Sequence, residues 1–364
     1  MRIAVLGGGN GSFAAAGDLA LSGHEVRLWR RNADMVAAHR AAGSRLIVKD
    51  HNGRHDVKLA LVTTDIAEAI SGSELILCPA PAFAQPDIAQ LLAPHLRDGQ
   101  VVFLPPATFG SMIFASAMRD AGNRARVSFA ETGTLPWLTR KHGPFEVAIT
   151  IRAKRLPVGV FPLDQASCAL DVIGRAFPGA IEPCGDALSG ALMNAGPIIH
   201  APLIVMNAGP IEHFDRWDIH KEGTQAAIRR VTDALDAERI AVREALGYGA
   251  PHFPLAHHYA KEGEIWMYGR GSHDRLTDSG DWRERIVLTE HRYMREDLRL
   301  GLSFLVSVAG LANVATPLAR GFLAIGGAIC GEDFAQGGRT LATLGLGHLS
   351  KVELQRFLRE GFEA

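Results

Sequence analysis

His200 sits in an apolar run, Asn194-Ala195-Gly196-Pro197-Ile198-Ile199-His200-Ala201-Pro202, and reads as the acid–base group of this chain. An imidazole titrates near working pH and can exchange a proton with a substrate oxygen or nitrogen. A histidine on an apolar face is as often a satisfied core residue, so a catalytic reading needs partners. Two candidates lie on His291-Arg292-Tyr293-Met294-Arg295-Glu296-Asp297. Arg292 could clamp a substrate carboxylate, and Asp297 could orient and polarise a histidine from its far side. A long stretch of chain separates them from His200, so spacing does not establish contact. His257-His258 reads as a surface pair rather than a metal site, because adjacent residues rarely converge on one ion and no further ligands accompany them.

A second constellation could hold a nucleotide. Ile3-Ala4-Val5-Leu6 is an apolar strand, followed by Gly7-Gly8-Gly9-Asn10-Gly11-Ser12 and a small-residue helix. Gly7 would permit a tight turn. Gly9 would let the backbone approach a pyrophosphate, whose charge is favoured at the positive end of the helix that follows. Ser12 stands where this fingerprint usually carries Gly or Ala. The next strand, Glu25–Trp29, ends at Arg30-Arg31-Asn32. An NAD site usually presents an acid there to the ribose 2′-hydroxyl, whereas two arginines would attract a 2′-phosphate. NADP is therefore the expected cofactor and NAD the alternative.

The elements that must position these residues alternate through the first half. Strand-like Lys58–Thr63, Leu75–Cys78, Val101–Leu104 and Arg126–Ala130 are interleaved with helix-like Asp65–Ile70, Asp87–Leu96 and Ser111–Asp120. Such alternation predicts a parallel sheet with helices on both faces. Phe145–Ile151 and Val158–Phe161 read as an antiparallel addition. From about Asp186 long helices take over. Thr224–Leu246 places Ala227, Val231, Ala234, Leu235, Val242, Ala245 and Leu246 on one face, and Arg285–Ser307 reads as largely helical. The expectation is an α/β doubly wound Rossmann-type domain over 1–184 and a mostly α-helical domain over 185–364. A cleft between two such domains is the usual place for a ligand.

With 47% hydrophobic residues in 364, the chain can bury a large core. A formal net charge of −1 gives no hint of a nucleic-acid or anionic-membrane partner. No segment has the make-up of a signal peptide, and no apolar run reads as long enough to span a bilayer. Cys78, Cys168, Cys184 and Cys330 lack zinc or disulfide spacing and read as buried reduced thiols of a cytoplasmic protein. The apolar helices of the second half would allow a homodimer.

The chain resembles the octopine/nopaline-type opine dehydrogenases almost end to end. The resemblance is carried by Gly7–Gly11, Pro81-Ala82, Glu131-Thr132, His200 with Asn207, and Asp236-Ala237-Glu238-Arg239-Ile240. Arg292-Tyr293 with Glu296-Asp297, and the closing Asp333-Phe334, Gly338-Arg339-Thr340-Leu341 and Leu344-Gly345-Leu346, complete it. It implies an enzyme that condenses an amino acid with a 2-oxo acid and reduces the imine with a nicotinamide cofactor. By the same resemblance His200 would be the general acid/base, Asp297 would hold its tautomer, and Arg292 would bind a substrate carboxylate. Glu131 and Thr132 would line the substrate cleft, and Pro81 would border the cofactor. Arg30-Arg31 departs from the NAD-using members, so cofactor choice is not carried over. Glycerol-3-phosphate dehydrogenases and ketopantoate reductases share the N-terminal pattern, but they should place a lysine in the catalytic helix. The 188–207 run contains none. A non-catalytic dinucleotide sensor is the third reading.

Overall fold

The computed structural model describes residues 1–362. They form two compact units, one of Met1–Ala191 joined by the chain end from Leu358, the other of Leu192–Phe357. A boundary at 184 would cut the strand Ile181–Asp186, which belongs to the first unit. The returning chain end is anchored there by Phe362, whose ring meets Phe161 edge-on at 5.9 Å and lies 4.4 Å from the Arg119 guanidinium carbon.

The first unit contains two sheets. Its strands are β1 (Arg2–Leu6), β2 (Glu25–Trp29), β3 (Arg45–Asp50), β4 (Gly53–Lys58), β5 (Leu61–Thr63) and β6 (Leu75–Leu77). They continue with β7 (Val101–Leu104), β8 (Ser128–Thr132), β9 (Trp137–Gly143), β10 (Glu146–Arg152), β11 (Leu156–Phe161) and β12 (Ile181–Asp186). The main sheet runs β12-β11-β8-β7-β6-β1-β2-β5. Its six strands from β8 to β5 are parallel, and β11 is antiparallel to β8. Ile3, Ala4, Val5 and Leu6 are all fully buried, as a parallel strand covered on both faces requires. The connection reverses direction between β1 and β6, the switch point where open α/β sheets bind ligands.

The second sheet, β4-β3-β10-β9, corrects two expectations. The strand expected over Lys58–Thr63 is split, since β4 ends at Lys58 in a hairpin with β3 while β5 joins the main sheet. Phe145–Ile151 pairs with β9 and β3 rather than extending the main sheet. This second sheet packs on the helix α1 (Asn10–Leu21), and the small residues of α1 explain how closely. A Cβ at Gly17 would lie 2.4 Å from Val48 Cγ2. Asp18, on the same helix, accepts from Trp137 Nε1 at 2.6 Å and from Arg152, which also reaches Asp50 at 2.7 Å.

The second unit is built of helices. Ala226–Ala245 forms where the apolar spacing predicted, but its buried face is rotated. Ala227 and Ala234 are exposed, while Asp236, Arg239 and Arg243 are buried beside Leu235 and Val242. The polar side chains are tolerated because they are hydrogen-bonded. Asp236 accepts from Arg239 Nε and Leu255 N, both at 2.6 Å, and Arg239 donates to the carbonyls of Leu192 and His252. The 285–291 stretch is not helical. The helix begins at Tyr293 and runs to Leu302 as a π-helix before continuing as α-helix over Ser303–Ala312. The 187–206 run is long and apolar enough to cross a membrane, contrary to expectation, yet it is two helices, Ala187–Ala191 and Gly196–Met206, and mostly buried. Of the cysteines only Cys78 is buried, where desolvation pushes its thiol up to about 12; Cys168 is exposed.

Candidate active site

The glycine turn of the first unit is shaped as the fingerprint requires. Gly7 has φ +117°, and a Cβ there would lie 2.6 Å from Ser12 Oγ, so a side chain is excluded on both counts. Its amide donates to Trp29 O at 2.9 Å, tying the turn to the end of β2. Ser12 donates back to Leu6 O at 3.2 Å, which explains how a serine fits the third fingerprint position. Gly9 caps α1 with no side-chain acceptor, and a Cβ on it would meet nothing within 4 Å. No side chain of Gly9 caps the first amides of α1, and free amides at a helix N-terminus are the groups that bind a phosphate. A Cβ on Gly11 would lie 3.0 Å from Leu135 Cδ1 and 3.2 Å from Pro79 Cβ. Pro81 follows β6 and starts the short turn closed by Ala84 N donating to Pro81 O.

Three residues expected at the cofactor have protein partners. Asn10 uses Oδ1 to accept from Lys141 N at 3.0 Å, fixing β9 against α1. Asn32 caps the Ala33–Ala41 helix, accepting from Met35 N at 2.9 Å. Arg31 is largely exposed and pairs with Asp87 at 3.5 Å. Arg30 behaves differently. It is only 7% exposed and lies over the Phe13 ring.

Glu131 and Thr132 are fully buried. Glu131, expected to line the cleft, holds a loop. Its two oxygens accept from Phe109 N at 2.9 Å and Ser111 N at 2.8 Å, at the start of the Gly110–Asp120 helix. Thr108 and Phe109 both have left-handed backbones (φ +54° and +63°), an uncommon state for bulky residues that the carboxylate stabilises.

In the second unit His200 and Asp297 meet. His200 Nδ1 is 2.9 Å from Asp297 Oδ2. Two glycines bring their helices close: a Cβ at Gly196 would lie 2.3 Å from Asp297 Oδ1, and one at Gly301 would lie 2.2 Å from Pro197 Cγ. The π-helix matters because its wider turn lets consecutive residues face inward, and such segments often mark functional sites. Glu296 and Asp297 are both buried. Burial pushes the Asp297 carboxyl up to about 6, against Arg292 and His291, which hold it down. Glu296 pairs with Arg292 at 3.1 Å and, with Asp297 also close, raises the arginine further above its ordinary value.

The sequence reading missed three residues around His200. Tyr293 stacks flat on the imidazole, with ring centroids 3.6 Å apart and planes at 8°. Its phenol is hydrogen-bonded to His220 Nε2 at 3.0 Å, and Trp282 packs edge-on against His220. The Arg292-Tyr293 pair was the available signal for Tyr293; His220 and Trp282 had none. His258, read as a surface residue, is buried. Its Nδ1 is 3.1 Å from Ser272 Oγ, its ring packs on Trp266, and desolvation lowers it to about 3. His257, its neighbour, is the more exposed one and faces Glu264 at 3.6 Å.

Comparison with known proteins matches the two halves separately and the chain as a whole. Residues 183–330 match the family described as NAD/NADP octopine/nopaline dehydrogenase, alpha-helical domain, and residues 2–104 match the NAD-dependent glycerol-3-phosphate dehydrogenase N-terminus. The chain is 28% identical over 360 residues to an opine dehydrogenase of Arthrobacter sp. (strain 1C), covering 97% of both. It is 26% identical over 373 residues to the vitopine synthase of Allorhizobium ampelinum, covering 95% of this chain and 96% of that one. Its fold is similar to that of an octopine dehydrogenase solved with NADH and agmatine, with a TM-score of 0.73 and 20% identity over 100% of this chain and 99% of that one.

Proposed function

We propose, from the kinship of this chain with the octopine/nopaline dehydrogenases over its whole length, that it is an NAD(P)H-dependent opine dehydrogenase. The reaction joins the amino group of an amino acid to the carbonyl carbon of a 2-oxo acid such as pyruvate or 2-oxoglutarate, with loss of water. The imine then takes up a hydride and a proton to become a secondary amine. The bound nicotinamide supplies that hydride.

The observation that carries this reading is the His200–Asp297 pair. Asp297 on Nδ1 selects the tautomer and raises the basicity of the ring, which makes Nε2 the nitrogen that exchanges protons with substrate. His200 then protonates the carbonyl oxygen as it leaves as water, and takes a proton in the reverse direction. Tyr293, flat against the ring, restricts its rotation. Arg292, steadied by Glu296, is the anchor for a substrate carboxylate. Glu131 contributes by fixing the Thr108–Phe109 backbone, with Thr132 beside it. In the first unit the Gly7–Ser12 turn and the start of α1 would hold the pyrophosphate, and Pro81 would border the nucleotide at the end of β6. A cytoplasmic setting accords with this chemistry.

A reductase of a small keto acid or phosphorylated substrate is favoured only by the match over residues 2–104. The second unit argues against it, since the Gly196–Met206 helix carries a histidine paired to an aspartate and no lysine. Loss of reduced-nicotinamide absorbance, followed with pyruvate or 2-oxoglutarate in the presence and absence of an amino-acid mixture, tests the reading. Oxidation is expected only when both substrates are present; oxidation with the oxo acid alone would retire it in favour of the reductase.

A further inference from the structure

Arg30 and Lys141 are two cations with no anion beside them among the described residues. Arg30 occupies the end of β2, where NAD sites hold the acid that binds the ribose 2′-hydroxyl. It is 7% exposed, its Nη1 is buried with no hydrogen-bond partner, and its guanidinium carbon stands 5.1 Å from the Phe13 ring centroid. Lys141 reaches the same ring from β9, with Nζ 4.0 Å from the centroid and 3.4 Å from Gly8 O. Among the described residues no carboxylate is paired with either side chain. Desolvation lowers both, and Arg30 lowers Lys141 further, so each cation is held where its charge is disfavoured.

The surroundings fix both groups beside the glycine turn. A Cβ on Gly8 would lie 2.8 Å from Arg30 Nε, so the bare backbone at Gly8 is what lets the guanidinium lie across it. Phe13 is itself fully buried and stacked on His39, which also stacks on Phe145. The two cations therefore share a rigid aromatic floor, a favourable support for positive charge. Lys141 is held in addition through its backbone amide on Asn10. Uncompensated like charges in a partly dry site are costly, and a dianion placed between them removes the cost.

We propose that Arg30 and Lys141 together form a preformed receptor for the 2′-phosphate of NADP(H), with Lys141 as the residue that sets preference over NAD(H). Arg31, largely exposed and facing Asp87 at 3.5 Å, is not held at this ring and is left out of the receptor. The inference rests on the dinucleotide-binding half of the proposed function alone, and holds whichever substrate the second unit takes.

The test is nucleotide binding by the full chain, without substrates. Titration with NADPH and NADH should show wild type preferring NADPH, with that affinity falling more steeply as salt rises. Lys141→Met should weaken NADPH at least tenfold and leave NADH unchanged, and Lys141→Arg should restore most of the preference. Adenosine 2′-monophosphate should raise the melting temperature of wild type more than adenosine 5′-monophosphate does, and Lys141→Met should abolish the difference. Equal weakening of NADPH and NADH would assign Lys141 to the pyrophosphate and overturn the proposal. Unchanged NADPH affinity in a folded Lys141→Met protein would overturn it as well. Retained NADPH and NADH binding alongside inactivity with every substrate pair would sink the opine reading and leave this one standing.

Discussion

Tyr293 lies flat on His200, with ring centroids 3.6 Å apart, while Asp297, four residues further along the same π-helix, bonds His200 Nδ1 from its edge. One segment thus fixes both the plane and the tautomer of the imidazole. Tyr293→Phe keeps the stack and loses only the bond to His220, so kcat should fall by less than about tenfold. Tyr293→Ala frees the ring to rotate and should cost about 10²-fold, in line with the price of misplacing a reacting group. Equal losses in the two variants would show that the phenol oxygen, not the stack, is what matters.

His200→Ala and Asp297→Asn should each lower turnover by about 10²–10⁴-fold, the range of lost acid–base catalysis. Nucleotide affinity should stay within about twofold, because both residues belong to the second unit and the nucleotide cradle to the first. Single-turnover rates beside nucleotide titrations separate the two effects. Near-normal single-turnover rates in both variants would remove the pair from the mechanism.

The raised Asp297 carboxyl has consequences for pH. Its ionised form is needed to accept from Nδ1–H, so the rate of the reductive direction should fall as pH drops through about 6. For stability the sign is opposite to that of an ordinary ion-paired acid. The folded state holds the proton more tightly than the unfolded one, so this group favours folding at acid pH and loses that advantage as pH rises through the 4–6 window. Asp297→Asn should therefore be nearly inactive yet no less stable than wild type at pH 7.5. Urea unfolding at that pH checks it; a large loss of stability would mean the carboxylate is structurally required.

Gly7→Ala places a Cβ against Ser12 Oγ at a backbone angle that side chains rarely adopt. Destabilisation of about 1–3 kcal/mol is expected from the strained backbone, with nucleotide binding lost because the turn must open. Gly9→Ala is the informative companion. Its Cβ would meet no protein atom, so stability should hold while affinity falls, as the added methyl reaches toward the pyrophosphate.

Arg152 bridges Asp18 on α1 and Asp50 on β3, joining the second sheet to the helix that carries the glycine turn. Arg152→Met should cost about 2–4 kcal/mol at pH 7, between the worth of exposed and of fully buried pairs. Burial acts to raise the Asp50 carboxyl, but Arg152, the Asn52 amide and His55 outweigh it and hold the group below its ordinary value. Its contribution is present above the unfolded value and lost as pH falls through the folded one. The gap between wild type and variant should accordingly narrow below about pH 4. A pH-independent gap in urea unfolding would contradict this.

What the sequence disclosed follows from locality. Gly7, Gly9 and Ser12 announce themselves because strand, turn and helix are consecutive, and a parallel sheet follows from alternation. Apolar spacing likewise located the Ala226–Ala245 helix. It misassigned the buried face because Asp236 and Arg239 neutralise each other across one turn, and a pairing of that kind makes polar residues core residues. Lys141 carried no signal, since its role depends on a strand of the second sheet lying along α1. Asn32 and Glu131 stood at the right addresses for a site, but their side chains cap helices, a use that type and position alone do not separate from ligand binding. The π-helix was illegible for the same reason: its hydrophobic spacing is close to that of an α-helix, and it is the packing of Gly196 and Gly301 that decides which of its residues meet His200.

The formation of a carbon–nitrogen bond is tested most directly by the product itself. Incubation with a reduced nicotinamide deuterated at the transferring position, a ¹⁵N-labelled amino-acid mixture and unlabelled pyruvate or 2-oxoglutarate should give, by mass spectrometry, a secondary amine that carries both labels and the carboxylates of both substrates. Deuterium found only in the 2-hydroxy acid, with the ¹⁵N left in free amino acid, would contradict the assignment and make the protein a keto-acid reductase.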